Sequence, residues 1–228
     1  MEKHSGKSER KEMPAEIGCL IVLTGASGAG KDTVMAKLLC HPAVKTLNLK
    51  KIVTCTDRPP RPGETHGVDY HFVTSEKLRE MDKNGELVEE ITLTGSSNKA
   101  TPKNEIERLL KSEDLVWRID PSRAAEIASG IFFAKHFPDH AQILQEHTIV
   151  LCITAPKENV EKWRKLRDGD RYNPDEYSAR DEQELPHLQV LQEKAVIINN
   201  PEGKLEETIS YTTSITKAHY EKVKNKDI

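Results

Sequence analysis

Seven consecutive residues, Gly25-Ala26-Ser27-Gly28-Ala29-Gly30-Lys31, fit the pattern G-x-x-x-x-G-K. The chemistry this pattern serves is phosphate binding. Glycines let successive backbone N–H groups curl inward around phosphate oxygens, a following helix adds the positive potential of its N-terminus, and the lysine neutralises the β and γ charges. On this reading Gly25, Ala26, Ser27, Gly28, Ala29, Gly30 and Lys31, with Asp32 and Thr33 behind them, form a cradle for a nucleoside triphosphate. The position after the lysine normally carries Ser or Thr, whose hydroxyl ligates magnesium. Here it is Asp32, with Thr33 next. A carboxylate is also a hard oxygen ligand, so Asp32 and Thr33 are the expected magnesium contacts. Asp32 alternatively serves as an acidic first-turn residue that stabilises the helix N-terminus.

A second run with chemical content is Arg58-Pro59-Pro60-Arg61-Pro62-Gly63-Glu64, continuing through Gly67, Asp69 and Tyr70 to Phe72. Prolines stiffen this loop, so Arg58 and Arg61 are held with little entropy left to lose on binding. Two fixed guanidinium forks suit a phosphate dianion. The Tyr70 hydroxyl adds a further donor nearby.

The elements that must position these residues follow from the apolar runs. Cys19 to Thr24 is a short apolar run ending at Gly25, the form of a strand buried on both faces of a parallel sheet. A helix is expected from Lys31 to Leu39. Further strands are expected at Lys51 to Thr54, Leu115 to Ile119, Thr148 to Thr154 and Ala195 to Ile198, with helices between them such as Glu158 to Arg167 and Lys204 to Lys217. Strands alternating with helices predict an α/β fold, a parallel sheet flanked by helices. With the glycine motif directly after the first strand, this is a P-loop NTPase fold. Two stretches break the rhythm. Arg58 to Ser97 carries strand-like pieces at Tyr70 to Val73 and Leu87 to Leu93 around a helix at Glu76 to Lys83, and it reads as a small inserted subdomain. Arg164 to Glu184 is dense in both charges with few aliphatic residues, as a solvated helical lid would be. The expected organisation is a flexible tail over 1–16 and one domain over 17–228. Its core spans 17–57, 101–163 and 185–228, its insert 58–100 and its lid 164–184.

The chain has 228 residues, enough for one domain with embellishments at roughly 150 residues per domain. Lys and Arg number 34 against 37 Asp and Glu, so the formal charge of -3 offers no whole-chain attraction to nucleic acid or anionic lipid. Ile17 to Leu23 is the longest apolar stretch, far short of the roughly 20 residues that cross a bilayer. No membrane span, secretory signal or transit peptide is read, so the expected location is cytoplasmic. Cys19, Cys40, Cys55 and Cys152 are too scattered for a close metal pair, and buried thiols are expected for those in apolar runs. The histidines show no metal-ligand spacing.

From Cys19 to Lys217 the sequence resembles the guanylate kinases, which move a phosphoryl group from ATP to GMP. The specific parts are the P-loop and the run from Arg58 to Phe72. The resemblance implies that ATP with Mg2+ is the donor and a nucleoside monophosphate, GMP or dGMP, the acceptor. It implies that Arg58, Arg61 and Tyr70 grip the acceptor phosphate, and that Thr54 presents a hydroxyl to the base. Glu89 would pair with guanine N1–H and N2–H, and Asp120 would supply a second carboxylate near the base. Carboxylates only accept hydrogen bonds, and guanine's Watson–Crick edge offers two donors where adenine's offers one. Arg167, Arg171 and Arg180 resemble the family's lid arginines and join Lys31 and Arg58 as expected catalytic residues. Where the family carries Tyr-Tyr-Gly followed by Ser or Thr, this chain has Ser97-Asn98-Lys99-Ala100, leaving Lys99 and Thr101 as substitutes. Arg118 stands where an acid is usual, and Gly130 to His147 is longer than the family's connection. Two other readings stay open at this point: a small-molecule kinase like ribose 1,5-bisphosphate kinase, whose P-loop resembles this variant, and a non-catalytic guanylate-kinase-like module that binds phosphopeptides.

Overall fold

The first strand decides the architecture. β1 (Leu20–Thr24) is buried along its whole length, and its side chains alternate between two cores. Leu20 and Val22 enter one layer with Trp117, Phe132, Phe133 and Leu191. Ile21 and Leu23 enter the other with Val34, Leu38, Ile198 and Val223. A strand that buries both faces needs helices above and below it, which is the α/β sandwich. The structure is a computed structural model and describes residues 16–89, 91–94 and 97–225. Apart from Glu16, the tail expected over 1–16 lies outside the described residues.

β1 leads through the glycine loop into α1 (Lys31–Cys40) and α2 (Pro42–Lys45). Then come β2 (Lys50–Lys51), β3 (Cys55–Thr56), β4 (His71–Phe72), α3 (Ser75–Lys83), β5 (Thr92–Thr94), β6 (Ser97–Ala100) and α4 (Lys103–Glu107). β7 (Leu115–Arg118), α5 (Pro121–Ala128), α6 (Ile131–His136), α7 (Ala141–Glu146) and β8 (Thr148–Thr154) follow. The chain closes with α8 (Lys157–Asp168), α9 (Pro174–Lys194), β9 (Val196–Asn199) and α10 (Leu205–Lys224). The main sheet has the order β2-β7-β1-β8-β9 and every pairing in it is parallel. A second sheet, β4-β3-β6-β5, is mixed and covers a small core of Cys55, Leu78, Leu87 and Ala100.

Several elements differ from the sequence expectation for identifiable reasons. The strand expected over Lys51 to Thr54 stops early. Ile52 still donates to Val116 O at 3.0 Å, but the Val53 N–H is taken by the Glu105 carboxylate at 3.1 Å, and the chain crosses to the second sheet. Of the strand expected over Leu87 to Leu93, only Thr92–Thr94 pairs regularly. Leu87 makes a single bridge to Pro102. The connection 130–147 folds into α6, a 3-10 turn and α7, which bury Phe132, Phe133 and Leu144. Each helix is six residues long, too short for a helical period to show in sequence. The charged stretch 164–184 is helical, divided between α8, a 3-10 turn at Gly169–Arg171, and α9. α9 packs along α5 and contains Pro186 in its interior. Cys19, Cys55 and Cys152 are buried free thiols, and Cys40 is exposed. Among the described residues no helix is long and apolar enough to cross a membrane.

Candidate active site at the carboxyl ends of the parallel strands

β1 ends where the glycine loop begins, and the loop's conformation depends on residues without a Cβ. Gly25 has φ 135°, and a Cβ there would lie 2.0 Å from Ile153 O on the neighbouring strand. Gly30 has φ 88° as the N-cap of α1, and a Cβ would meet the Asn200 amide at 2.5 Å. Asn200 itself is buried and donates to Ala29 O at 3.1 Å, tying the loop to the end of β9. These contacts fix the loop before any ligand arrives.

Two buried groups from the charged stretch hold the loop at Ser27. Arg164, on α8, donates to Ser27 O through Nε at 3.0 Å and Nη2 at 2.7 Å, and its guanidinium is held in turn by Asp181. Glu184, on α9, accepts from the Ser27 N–H at 3.3 Å and from Arg180 Nε at 2.8 Å. A carboxylate on a loop amide marks that amide as pointing where negative charge is stabilised. Lys31 donates to Gly25 O at 2.7 Å and Ala26 O at 2.8 Å, folding over its own loop. Burial lowers its ammonium to about 8. The Glu184 carboxylate opposes that shift, while Arg118 adds to it.

The loop opens onto a cleft of about 1560 Å³. Lys31, Asp32 and Thr33 line one wall, Thr54, Tyr70, Glu89, Lys99 and Asp120 the other, and Arg167 and Arg180 approach from the helices above. Thr54 and Thr101 share a hydroxyl contact at 3.4 Å, and Thr101 donates to Glu89 at 2.6 Å. Glu89 is raised above the ordinary carboxylate range, chiefly by burial, with the Thr101 hydrogen bond and the Arg123 guanidinium opposing. Asp120 both lines the cleft and caps α5, accepting from the Arg123 N–H at 3.1 Å.

Arg58 is held rather than free. Its Nη1 donates to Glu64 Oε2 at 2.6 Å and Pro59 O at 3.0 Å, and its Nη2 donates to Glu64 Oε1 at 2.6 Å. The guanidinium carbon lies 5.1 Å from the Tyr70 ring centre and 5.7 Å from that of Phe72. Three of a guanidinium's five N–H bonds are thereby used, leaving the Nε–H and one on Nη2. The pair holds Glu64 at about 2, with the Arg58 hydrogen bonds the main cause. Lys99 approaches the same ring, its ammonium 5.1 Å from the Tyr70 centre and 3.4 Å from the hydroxyl.

Not every expected residue converges. Arg61 offers Glu64 a backbone N–H at 2.8 Å, but its side chain is exposed and off the cleft wall. Arg171 is likewise exposed and does not line the cleft, and half-buried Arg58 does not line it either, although its partners Glu64 and Tyr70 do. Arg167 lines it while bonded to Asp168 and the Tyr177 hydroxyl. Asp32 reaches the cleft, but Arg118 Nε lies 2.9 Å from its Oδ1. Sequence reasoning gave no role to Glu64, Arg123, Arg164 or Asn200. Glu64 had a signal, since it lies inside the arginine–proline run. The others are fixed by contacts between distant segments.

Comparison with known proteins decides the family. The guanylate kinase family model matches residues 18–130. A guanylate kinase of Fusobacterium nucleatum subsp. nucleatum is 32% identical over 186 residues, which are 81% of this chain and 89% of that protein. The chain belongs to the guanylate kinase family. It is thus an enzyme of the ATP-dependent nucleoside monophosphate kinase class. A rice protein named guanylate kinase 2, chloroplastic/mitochondrial, from Oryza sativa subsp. japonica, is 29% identical over 214 residues, 92% of this chain and 67% of that protein. The fold also matches the crystal structure of guanylate kinase from Anaplasma phagocytophilum, with a TM-score of 0.58 at 23% identity over 90% of this chain and 87% of that one.

Proposed function

We propose that this enzyme transfers the γ-phosphoryl group of ATP to GMP or dGMP, giving GDP or dGDP. The observation that carries this reading is the pairing of the P-loop wall with a carboxylate wall across a single cleft, Lys31 on one side and half-buried Glu89 with exposed Asp120 on the other. Glu89 is presented by a hydroxyl chain through Thr101 and Thr54, which orients an acceptor-only group toward the cleft. Such a group favours guanine, with N1–H and N2–H both donating.

The acceptor's phosphate oxygen is already anionic, so no general base is needed. Positioning and charge neutralisation supply the catalysis. Arg58, braced by Glu64, offers its two remaining N–H bonds to the acceptor phosphate, and Tyr70 and Lys99 stand beside it. Lys31 exchanges its two carbonyl partners for the donor's phosphates. Arg167 and Arg180 approach from α8 and α9, and drawing these helices inward excludes the water that would otherwise take the phosphoryl group. Magnesium accompanies ATP in phosphoryl transfer. At the P-loop metal position the Asp32 carboxylate faces the Arg118 guanidinium, and Thr33 lines the cleft next to it, the hydroxyl that would hold the ion's nucleotide-bound form.

The deciding experiment is an acceptor panel in an ADP-release assay, with GMP, dGMP, AMP, CMP, UMP and ribose 1,5-bisphosphate. Turnover with GMP or dGMP at least tenfold above the other nucleotides is expected. Turnover with the sugar phosphate alone replaces this reading with that of a sugar-phosphate kinase.

A further inference from the structure

Asp32 presents a difficulty for a triphosphate site. It follows Lys31 directly in the first turn of α1, lines the cleft, and places a carboxylate beside the cradle where polyphosphate must sit. Left alone, that charge would repel the donor. The structure answers it with Arg118, the last residue of β7, whose register partner on β1 is Leu23, two residues before Gly25. The Arg118 side chain therefore leaves the sheet at the edge where the glycine loop begins, the position at which parallel sheets receive ligands. Its Nε lies 2.9 Å from Asp32 Oδ1. Neither terminal amino group has a protein partner among the described residues, and the side chain is 40% exposed, on the cleft wall. Asp120 follows two residues later and lines the same cleft, so Arg118 stands between the donor cradle and the acceptor wall.

We propose that Arg118 is a donor-phosphate ligand and that Asp32 is its positioning residue rather than a magnesium ligand. The two residues exchange the usual charges of their positions, a neutral hydroxyl and an acid, for an acid and a guanidinium. The guanidinium is ion-paired through Nε with Asp32, whose side chain is itself largely exposed, and the terminal amino groups remain for phosphate oxygens, the planar recognition that arginine performs and lysine does not. Arg118 already acts electrostatically on the P-loop lysine, being among the charges that lower the Lys31 ammonium. A metal accompanying ATP would then take no ligand from the Asp32 carboxylate. This assignment rests on the ATP-donor reading of the cleft.

The test is ATP binding by titration calorimetry, in EDTA and in excess Mg2+, with thermal melts to confirm folding. Arg118→Ala is expected to weaken ATP at least tenfold in EDTA, and Arg118→Lys to recover only part of that. Asp32→Asn is expected to weaken ATP about threefold, Asp32→Glu to restore it, and the Asp32→Asn effect to vanish in the Arg118→Ala background. The ratio of affinities with and without Mg2+ should stay within threefold of wild type in Asp32→Asn. Loss of that Mg2+ enhancement makes Asp32 a metal ligand and overturns the proposal, as does ATP affinity within twofold of wild type in a folded Arg118→Ala protein. If the wild-type enzyme itself binds no ATP, the donor reading fails and the assignment falls with it, an outcome distinct from the other two.

Discussion

Lys31 gives the sharpest quantitative expectation, because its ammonium is held at about 8 by burial while its task is to meet a polyanion. With a free-enzyme value of 8, about 0.1 of the Lys31 side chains are neutral at pH 7, about 0.5 at pH 8 and about 0.9 at pH 9. Bound phosphates favour the charged form and return the group toward its ordinary range near 10.5. ATP binding must therefore draw protons from solution, about half a proton per site at pH 8 and close to one at pH 9. The sign follows from linkage: the bound state holds more protons, so affinity falls as pH rises above 8, approaching about tenfold per pH unit. Calorimetry in two buffers of different ionisation enthalpy reads the uptake directly. Above pH 8 the nucleotide's phosphates are fully ionised and contribute little. Lys31→Arg keeps the cation but cannot lose its proton, so its uptake should vanish. Uptake below about 0.1 proton at pH 8.5, or equal uptake in Lys31→Arg, refutes the argument from burial.

Other expectations concern single substitutions. Lys31→Ala and Arg58→Ala should each lower kcat/KM by more than about a hundredfold, near 3 kcal/mol of transition-state stabilisation, without loss of helical signal by circular dichroism. Turnover near wild type in either protein removes the proposed mechanism. Glu89→Gln replaces an acceptor-only group with one that also donates, so selection of GMP over AMP should fall at least tenfold in competition assays. Gly25→Ala forces a Cβ to within 2.0 Å of Ile153 O at φ 135°. It should cost more than about 2 kcal/mol in denaturant unfolding, and a melt unchanged from wild type contradicts the loop geometry.

What the sequence displays and what it hides divide along the range of the interactions. The buried strand Leu20–Thr24 and the glycine loop are local: a short apolar run, then glycines that the backbone itself demands. So is the long strand Thr148–Thr154, whose bounds match the apolar run. The end of β2 is not local, since it depends on Glu105 reaching across more than fifty positions to take the Val53 N–H. The same holds at the site. Arg58 and Tyr70 are visible as a stiff, cationic run, yet the bracing of Arg58 by Glu64, and the orientation of Arg61 away from the cleft, follow from how that run turns back on itself. Arg164 and Glu184 look in sequence like any other charges on a polar helix. Only packing against Ser27, well over a hundred positions away, makes them buried partners of the P-loop.

Pro186 gives α9 a pivot. A proline inside a helix removes one backbone hydrogen bond and crowds the preceding turn, which makes it the place where a helix bends if it bends at all. Downstream, Leu191 is sunk in the core and serves as a fixed mount. Upstream, the twelve residues back to Pro174 form a rigid arm of about 18 Å at 1.5 Å per residue. A change of only about 20° at the pivot sweeps the tip of that arm through roughly 6 Å, while Glu184, two residues from the pivot, moves by about 1 Å. A bend at Pro186 would therefore act as a lever with unequal arms, a large stroke at the far end geared to a displacement at Ser27 comparable to the loss of a single 3.3 Å hydrogen bond.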